Sequence, residues 1–132
     1  MDIEKIFLNM IIIILILTVL ALAIFNIKTQ NNKEGFTELY FVGNLSKEAI
    51  VDYEYPFSFA IHNLENKKMT YHYALYIKSS KIDEEYITLD HDKVSIINQY
   101  FILKNESKNN TIPISVKLLD KEQEIHFWVN VK

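Results

Sequence analysis

This chain of 132 residues has no cysteine, no arginine, two glycines and two prolines. Without cysteine it can form no disulfide, thiol nucleophile, iron–sulfur cluster or thiolate zinc site. Without arginine it lacks the planar fork that clamps phosphates and carboxylates, and all 14 of its basic residues are lysine. Gly35 and Gly43 stand apart, so there is no glycine-rich phosphate loop, dinucleotide fingerprint or nucleophile elbow. Excess positive charge is also missing. The net charge of −3 leaves nucleic acid without an electrostatic footprint. What the chain does have is apolar bulk, 49% hydrophobic against 23% charged residues, which suits a folded protein and not a disordered one.

Much of that bulk lies at the N-terminus. Ile6 to Ile27 is a 22-residue stretch interrupted only by Asn9, Thr18 and Asn26. As a helix it would be about 33 Å long, matching a hydrocarbon core of about 30 Å. Residues 1–27 are therefore read as a transmembrane anchor, with the lipid bilayer as partner, and the Thr18 hydroxyl is expected to bond back to its own helix. Ala21-Leu22-Ala23 fits a small-x-small cleavage pattern, yet Ile24 and Phe25 continue the run, which favours a retained anchor over a cleaved signal. Flanking lysines are near parity, Lys5 before the span and Lys28 and Lys33 after it, so charge does not set the orientation.

Residues 28–35, KTQNNKEG, are polar and read as a juxtamembrane linker. From Phe36 onward the dominant signal is alternation with period two, with no helical period. Tyr53, Tyr55, Phe57, Phe59 and Ile61 form one apolar stripe opposed by Asp52, Glu54, Ser58, Ala60 and His62, and Pro56 on the polar side suggests an edge strand or a bulge. Further stripes are Tyr71, Tyr73, Leu75 and Ile77; Ile112, Ile114, Val116 and Leu118; and Ile125, Phe127, Val129 and Val131. Asn63–Lys68 reads as a hairpin-length connection, and Asp120–Gln123 as a tight hairpin. Weaker strands are expected at Phe36–Val42, Glu85–Leu89 and Val94–Leu103, the last with a bulge where the phase slips at Ile96-Ile97. About seven short strands over residues 36–132 predict an all-β, antiparallel two-sheet sandwich behind one transmembrane helix.

Several motifs occur in a familiar order. Phe36-Thr37-Glu38-Leu39-Tyr40 opens the β region, Asn63-Leu64-Glu65 follows the second strand, Tyr71 begins the next, and Trp128-Val129-Asn130-Val131 closes the chain. This pattern resembles the mostly archaeal membrane-protein family called domain of unknown function 1616, over about Phe36 to Val131. The resemblance implies an immunoglobulin-like domain outside the cell membrane, with no established activity. Read from the residues alone, Asn63 can supply turn geometry without glycine, and Glu65 can accept backbone N–H groups across the same loop.

Candidate chemistry is sparse. His62 and His72 would approach one another if their strands paired, with Asp52 or Glu54 completing a metal site, but no ligand spacing supports this and surface histidines are the expectation. Asp83-Glu84-Glu85 and Asp90-His91-Asp92 read as acidic loops that could bind calcium weakly, but the first lacks the glycine and spacing of a loop chelator, and solvated charge clusters are the expectation. No catalytic residue, metal or cofactor is expected. Three Asn-x-Ser/Thr sequons, at Asn44, Asn105 and Asn109, fall in expected turns and are candidate glycan acceptors. Tyr76, His126 and Trp128 lie opposite the apolar stripes and form a candidate aromatic interface. The sequence thus reads as a single-pass membrane protein with its C-terminal domain outside the cytoplasm and membrane or cell-envelope proteins as partners. It would serve as a non-enzymatic scaffold, adhesion or accessory subunit, or alternatively as a module binding a glycan or lipid-linked substrate.

Overall fold

The computed structural model describes residues 2–30 and 34–132. The chain divides into two units, residues 1–34 and 35–132.

The first unit is a helix, α1 (Ile3–Gln30), apolar on every side and long enough to cross a membrane. Its start is set by Asp2, whose carbonyl accepts the Lys5 and Ile6 N–H groups at 3.0 and 3.2 Å. Two of the polar interruptions, Thr18 and Asn26, are satisfied within the helix. The Thr18 hydroxyl lies 3.1 Å from the Ile14 carbonyl and 2.8 Å from that of Leu15, and the Asn26 amide donates to the Leu22 carbonyl at 3.0 Å. The helix continues through Lys28 to Gln30, so those residues are helical and not linker. The middle of the expected linker, residues 31–33, lies outside the described residues.

The second unit has eight strands: β1 (Phe36–Val42), β2 (Glu48–Ala49), β3 (Glu54–Leu64), β4 (Met69–Ile77), β5 (Ser80–Leu89), β6 (Lys93–Ile102), β7 (Thr111–Leu118) and β8 (Gln123–Val131). They form a three-stranded sheet, β1-β3-β6, and a five-stranded sheet, β2-β8-β7-β4-β5. All pairings are antiparallel except that of β2 with β8, which is parallel. Alternation explains the packing. Phe57, Phe59 and Ile61 from one sheet and Tyr71, Tyr73, Leu75, Ile112, Ile114, Val116 and Val129 from the other belong to one buried cluster. Aromatic edges and faces interlock there: Phe59 meets Tyr73 at 5.3 Å and Phe57 meets Phe127 at 5.6 Å between ring centres.

Five local expectations are corrected. Tyr53 precedes β3 and is exposed, because Asp52, at φ 65°, turns the chain before the strand begins. Pro56 lies in a central strand with no bulge. It is tolerated because β1 reaches only as far as Ser58, leaving position 56 paired with Tyr100 of β6 alone. The connection after Asn63 is not a hairpin: it carries the chain from β3 in one sheet to β4 in the other. β6 pairs with β3 in unbroken register through Ile96 and Ile97, and the irregularity falls instead between Leu75 and Tyr76 of β4. Asp83, Glu84 and Glu85 lie within strand β5 and not in a loop. The Asp120–Gln123 turn does join antiparallel neighbours, β7 and β8.

Candidate functional site

Four of the motif residues meet at one end of the β unit. Thr37 is buried on β1, and its hydroxyl donates to Glu65 Oε1 at 2.7 Å and lies 2.9 Å from the Tyr71 hydroxyl. Lys121, from the β7–β8 turn, donates to the same Glu65 oxygen at 2.6 Å. The Gln123 amide closes the group by donating to the Thr37 carbonyl at 3.0 Å. Lys121 and Thr37 hold the Glu65 carboxyl below its ordinary range, and burial pushes the Tyr71 phenol up. Glu65 therefore accepts from side chains across the crossover, not from backbone N–H groups of its own loop.

Asn63 is fully buried and locks that crossover. Its amide donates to the Lys67 and Leu89 carbonyls, both at 2.8 Å, while its side-chain oxygen accepts the Glu65 N–H at 3.0 Å. Gly35 presses on the same loop: a Cβ there would lie 2.5 Å from the Glu65 Cα, so glycine is required for close approach. Of the remaining motif residues, Phe36 and Tyr40 are exposed, Leu39 packs against the core and Glu38 reaches His62. Lys121 and Gln123 were not singled out in the sequence, where they appear as ordinary turn residues.

The histidines do not converge. His62 lies on the outer face of the three-stranded sheet and His72 on that of the five-stranded sheet, because β3 and β4 belong to different sheets. His62 Nδ1 is 2.8 Å from Glu38 and its Nε2 is 3.0 Å from Asp92, not near Asp52 or Glu54. A neutral imidazole can donate from only one nitrogen, so this arrangement selects the imidazolium. Asp92 first, then Glu38, raise the pKa above its ordinary 6.5. The two carboxylates bond opposite ring nitrogens, a geometry for an ion pair and not for one shared cation. Among the described residues, no group of three or more His, Cys, Asp or Glu side chains is arranged to hold a metal.

The aromatic candidates share the outer face of the five-stranded sheet. His126 is exposed and meets Trp128 edge-on, with ring centres 5.7 Å apart; Trp128 itself is 55% exposed. Tyr76 is half-buried on β4, one strand beyond Ser115, which pairs with His126, and the Lys117 ammonium lies 4.8 Å from the centre of its ring. An open groove of about 670 Å³ runs beside Trp128, bounded by Asn44, Leu45, Lys47 and Asn130. A second, of about 520 Å³, separates β5 from β6 and is lined by Asp83, Glu85, Gln99 and Tyr100. At that cleft the Tyr73 hydroxyl donates to Glu85 at 2.9 Å, and burial and Glu85 push its pKa up to about 12. Sequon residues Asn44, Asn105 and Asn109 are all exposed and lie outside strands, the last two at φ 55° and 67°.

No family model matches the chain, and no curated protein matches it in sequence. Solved structures do. The CARDB domain of the PF1109 protein from Pyrococcus furiosus, crystallised in complex with di-metal ions, matches with a TM-score of 0.60 at 11% identity, over 76% of this chain and 90% of that one. The solution structure of the same domain matches with a TM-score of 0.58 at 12% identity, over 74% and 95%. A β-glucosidase from Listeria innocua in complex with glucose matches with a TM-score of 0.55 at 14% identity, over 74% of this chain but 16% of the enzyme. At these identities the likeness is one of fold.

Proposed function

We propose that this protein is a single-pass, membrane-anchored immunoglobulin-like β-sandwich that stands outside the cytoplasm and acts without catalysis, as a scaffold, adhesion or accessory subunit of a cell-envelope assembly. The observation that carries this reading is the division of the chain into an apolar helix with none of its span buried and a β unit that encloses its own core. A helix of this length and apolarity matches the hydrocarbon core of a bilayer, where its backbone groups are satisfied internally. Uninterrupted helix past Ala23 supports a retained anchor. The fold likeness supports the immunoglobulin-like description. Exposed sequons at Asn44, Asn105 and Asn109 support the outside placement. The exposed Trp128 and His126 are the proposed contact surface for a protein partner.

A second reading is favoured by the groove beside Trp128, where an indole face adjoins Asn44, Lys47 and Asn130. That combination suits a saccharide, which stacks apolar C–H faces on an aromatic ring and hydrogen-bonds to amides. Affinity purification of the full chain in mild detergent separates the two. A stoichiometric protein complex lost on Trp128→Ala supports the first; saccharide binding without a protein partner supports the second. Protease added to intact cells should digest the β unit, and protection until permeabilisation would overturn the outside placement.

A further inference from the structure

The two sheets have four edge strands, and three of them are protected against pairing with another chain. β2 is two residues long. β5 carries Lys81, Asp83, Glu84 and Glu85, and its own register is interrupted at Ile82, which is skipped between the Leu75–Asp83 and Tyr76–Lys81 pairs. β1 has its Thr37 carbonyl taken by the Gln123 amide and its entry pressed onto the Glu65 loop. Short strands, charges, irregular register and covering groups are the usual means by which an edge refuses an added strand.

β6 has none of these. It is ten residues long, KVSIINQYFI, with a single charge at its first position and no proline. It pairs with β3 without a register break from Lys93 to Ile102. Its outward residues Val94, Ile96 and Tyr100 are 47%, 58% and 53% exposed, and Tyr40, across Ala60 from Ile96, continues the apolar surface. A regular edge of this kind presents alternating N–H and C=O groups that only an extended strand can satisfy.

We infer that β6 pairs antiparallel with β6 of a second copy of this chain, about a two-fold axis at Asn98, joining the three-stranded sheets into one of six strands. An antiparallel edge is its own complement under two-fold symmetry. Opposed residues must lie on the same face, which allows Asn98 to face itself and sets Ile96 opposite the partner's Tyr100 and Val94 opposite the partner's Ile102. Each outward pair is then apolar against apolar, and no charge opposes another. At the centre, two Asn98 side chains meet, each able to donate and accept. The Asn98 oxygen already accepts from Ser58 at 2.7 Å, leaving its NH2 group to donate across the axis. Such a ladder holds about nine backbone hydrogen bonds, the number found in a typical specific interface.

The native chain has no cysteine, so one introduced thiol reports its own neighbours. The full chain in detergent micelles should run as a dimer by light scattering. Asn98→Cys should convert most of it to a reducible covalent dimer under mild oxidation, whereas Thr88→Cys, also exposed but on β5, should remain uncrosslinked. Ile96→Lys should weaken the dimer at least tenfold while leaving the β-sheet circular dichroism unchanged. A wild-type monomer at about 100 µM overturns the proposal. So does a dimer that resists Ile96→Lys and fails to crosslink through Asn98→Cys, since association would then run through the helix or another face.

Discussion

On the outer face of the five-stranded sheet the large aromatics have polar company: Lys117 beside Tyr76, His72 stacked on Tyr86 at 4.2 Å, and His126 edge-on to Trp128. On the outer face of the three-stranded sheet the polar groups bond to one another, His62 to Glu38 and Asp92, and Ser58 to Asn98. Tyr40, Val94, Ile96 and Tyr100 are left as a contiguous apolar area around the buried Ala60. Both sheets obey the same inward alternation. They differ in where the outward polar groups bond: the inward pattern is common to both sheets, and the outward pattern leaves a contiguous apolar area on one of them.

The largest predicted effect concerns what the sheets share. Phe59 is fully buried between them, and Phe59→Ala should cost about 3–5 kcal/mol of stability by chemical denaturation, in a single transition. Two separated transitions would show that the sheets do not share one core. Next comes the link between the sheets. Asn63→Ala leaves the Lys67 and Leu89 carbonyls and the Glu65 N–H unpaired and should cost about 1–3 kcal/mol, with Asn63→Asp failing to restore it because it lacks the amide donors. Trp128→Ala sharpens the contrast, with a stability change within about 0.5 kcal/mol but at least a tenfold loss of partner or saccharide binding in the same preparation.

The smallest effects are titrations of opposite sign. His62 has its pKa raised, so its contribution is full below pH 6.5 and is lost as pH rises through the folded-state value. Amide exchange near Asp92 and Glu38 should quicken over that alkaline range and become insensitive to pH in His62→Gln, apart from its intrinsic chemical dependence. Glu65 has its pKa lowered, so its contribution is full above 4.5 and is lost as pH falls through the folded-state value. Glu65→Gln should flatten the acid limb of the melting temperature and leave the alkaline limb unchanged.

Much of the fold was legible in the alternation. Apolar stripes of β3, β4, β7 and β8 point inward as the period of two requires, with Tyr53 the exception because a turn precedes β3. Partnership between strands was not legible, since hydrophobic period specifies a face and says nothing about a neighbour. Asn63–Lys68 has hairpin length yet crosses between sheets. Ile96-Ile97 looked like a bulge because both faces of β6 are apolar there, one for the core and one for the surface. The Thr37–Glu65–Tyr71 group was half visible: its members stood out as motif residues, but Lys121 and Gln123 enter it only through the turn that brings β7 and β8 back beneath β1.

That same group has a mechanical meaning. Any pull on α1 would enter the β unit through the backbone at Gly35 and run into β1, while the proposed partner surface at Trp128 lies on β8 in the other sheet. No disulfide ties the two sheets, so the load must cross from one to the other through packing and hydrogen bonds. Thr37, Glu65, Lys121 and Gln123 form a hydrogen-bonded bridge from β1 to the β7–β8 turn close to the point of entry. For β1 to slide along β3, these bonds would have to break together, in parallel with the β1–β3 ladder.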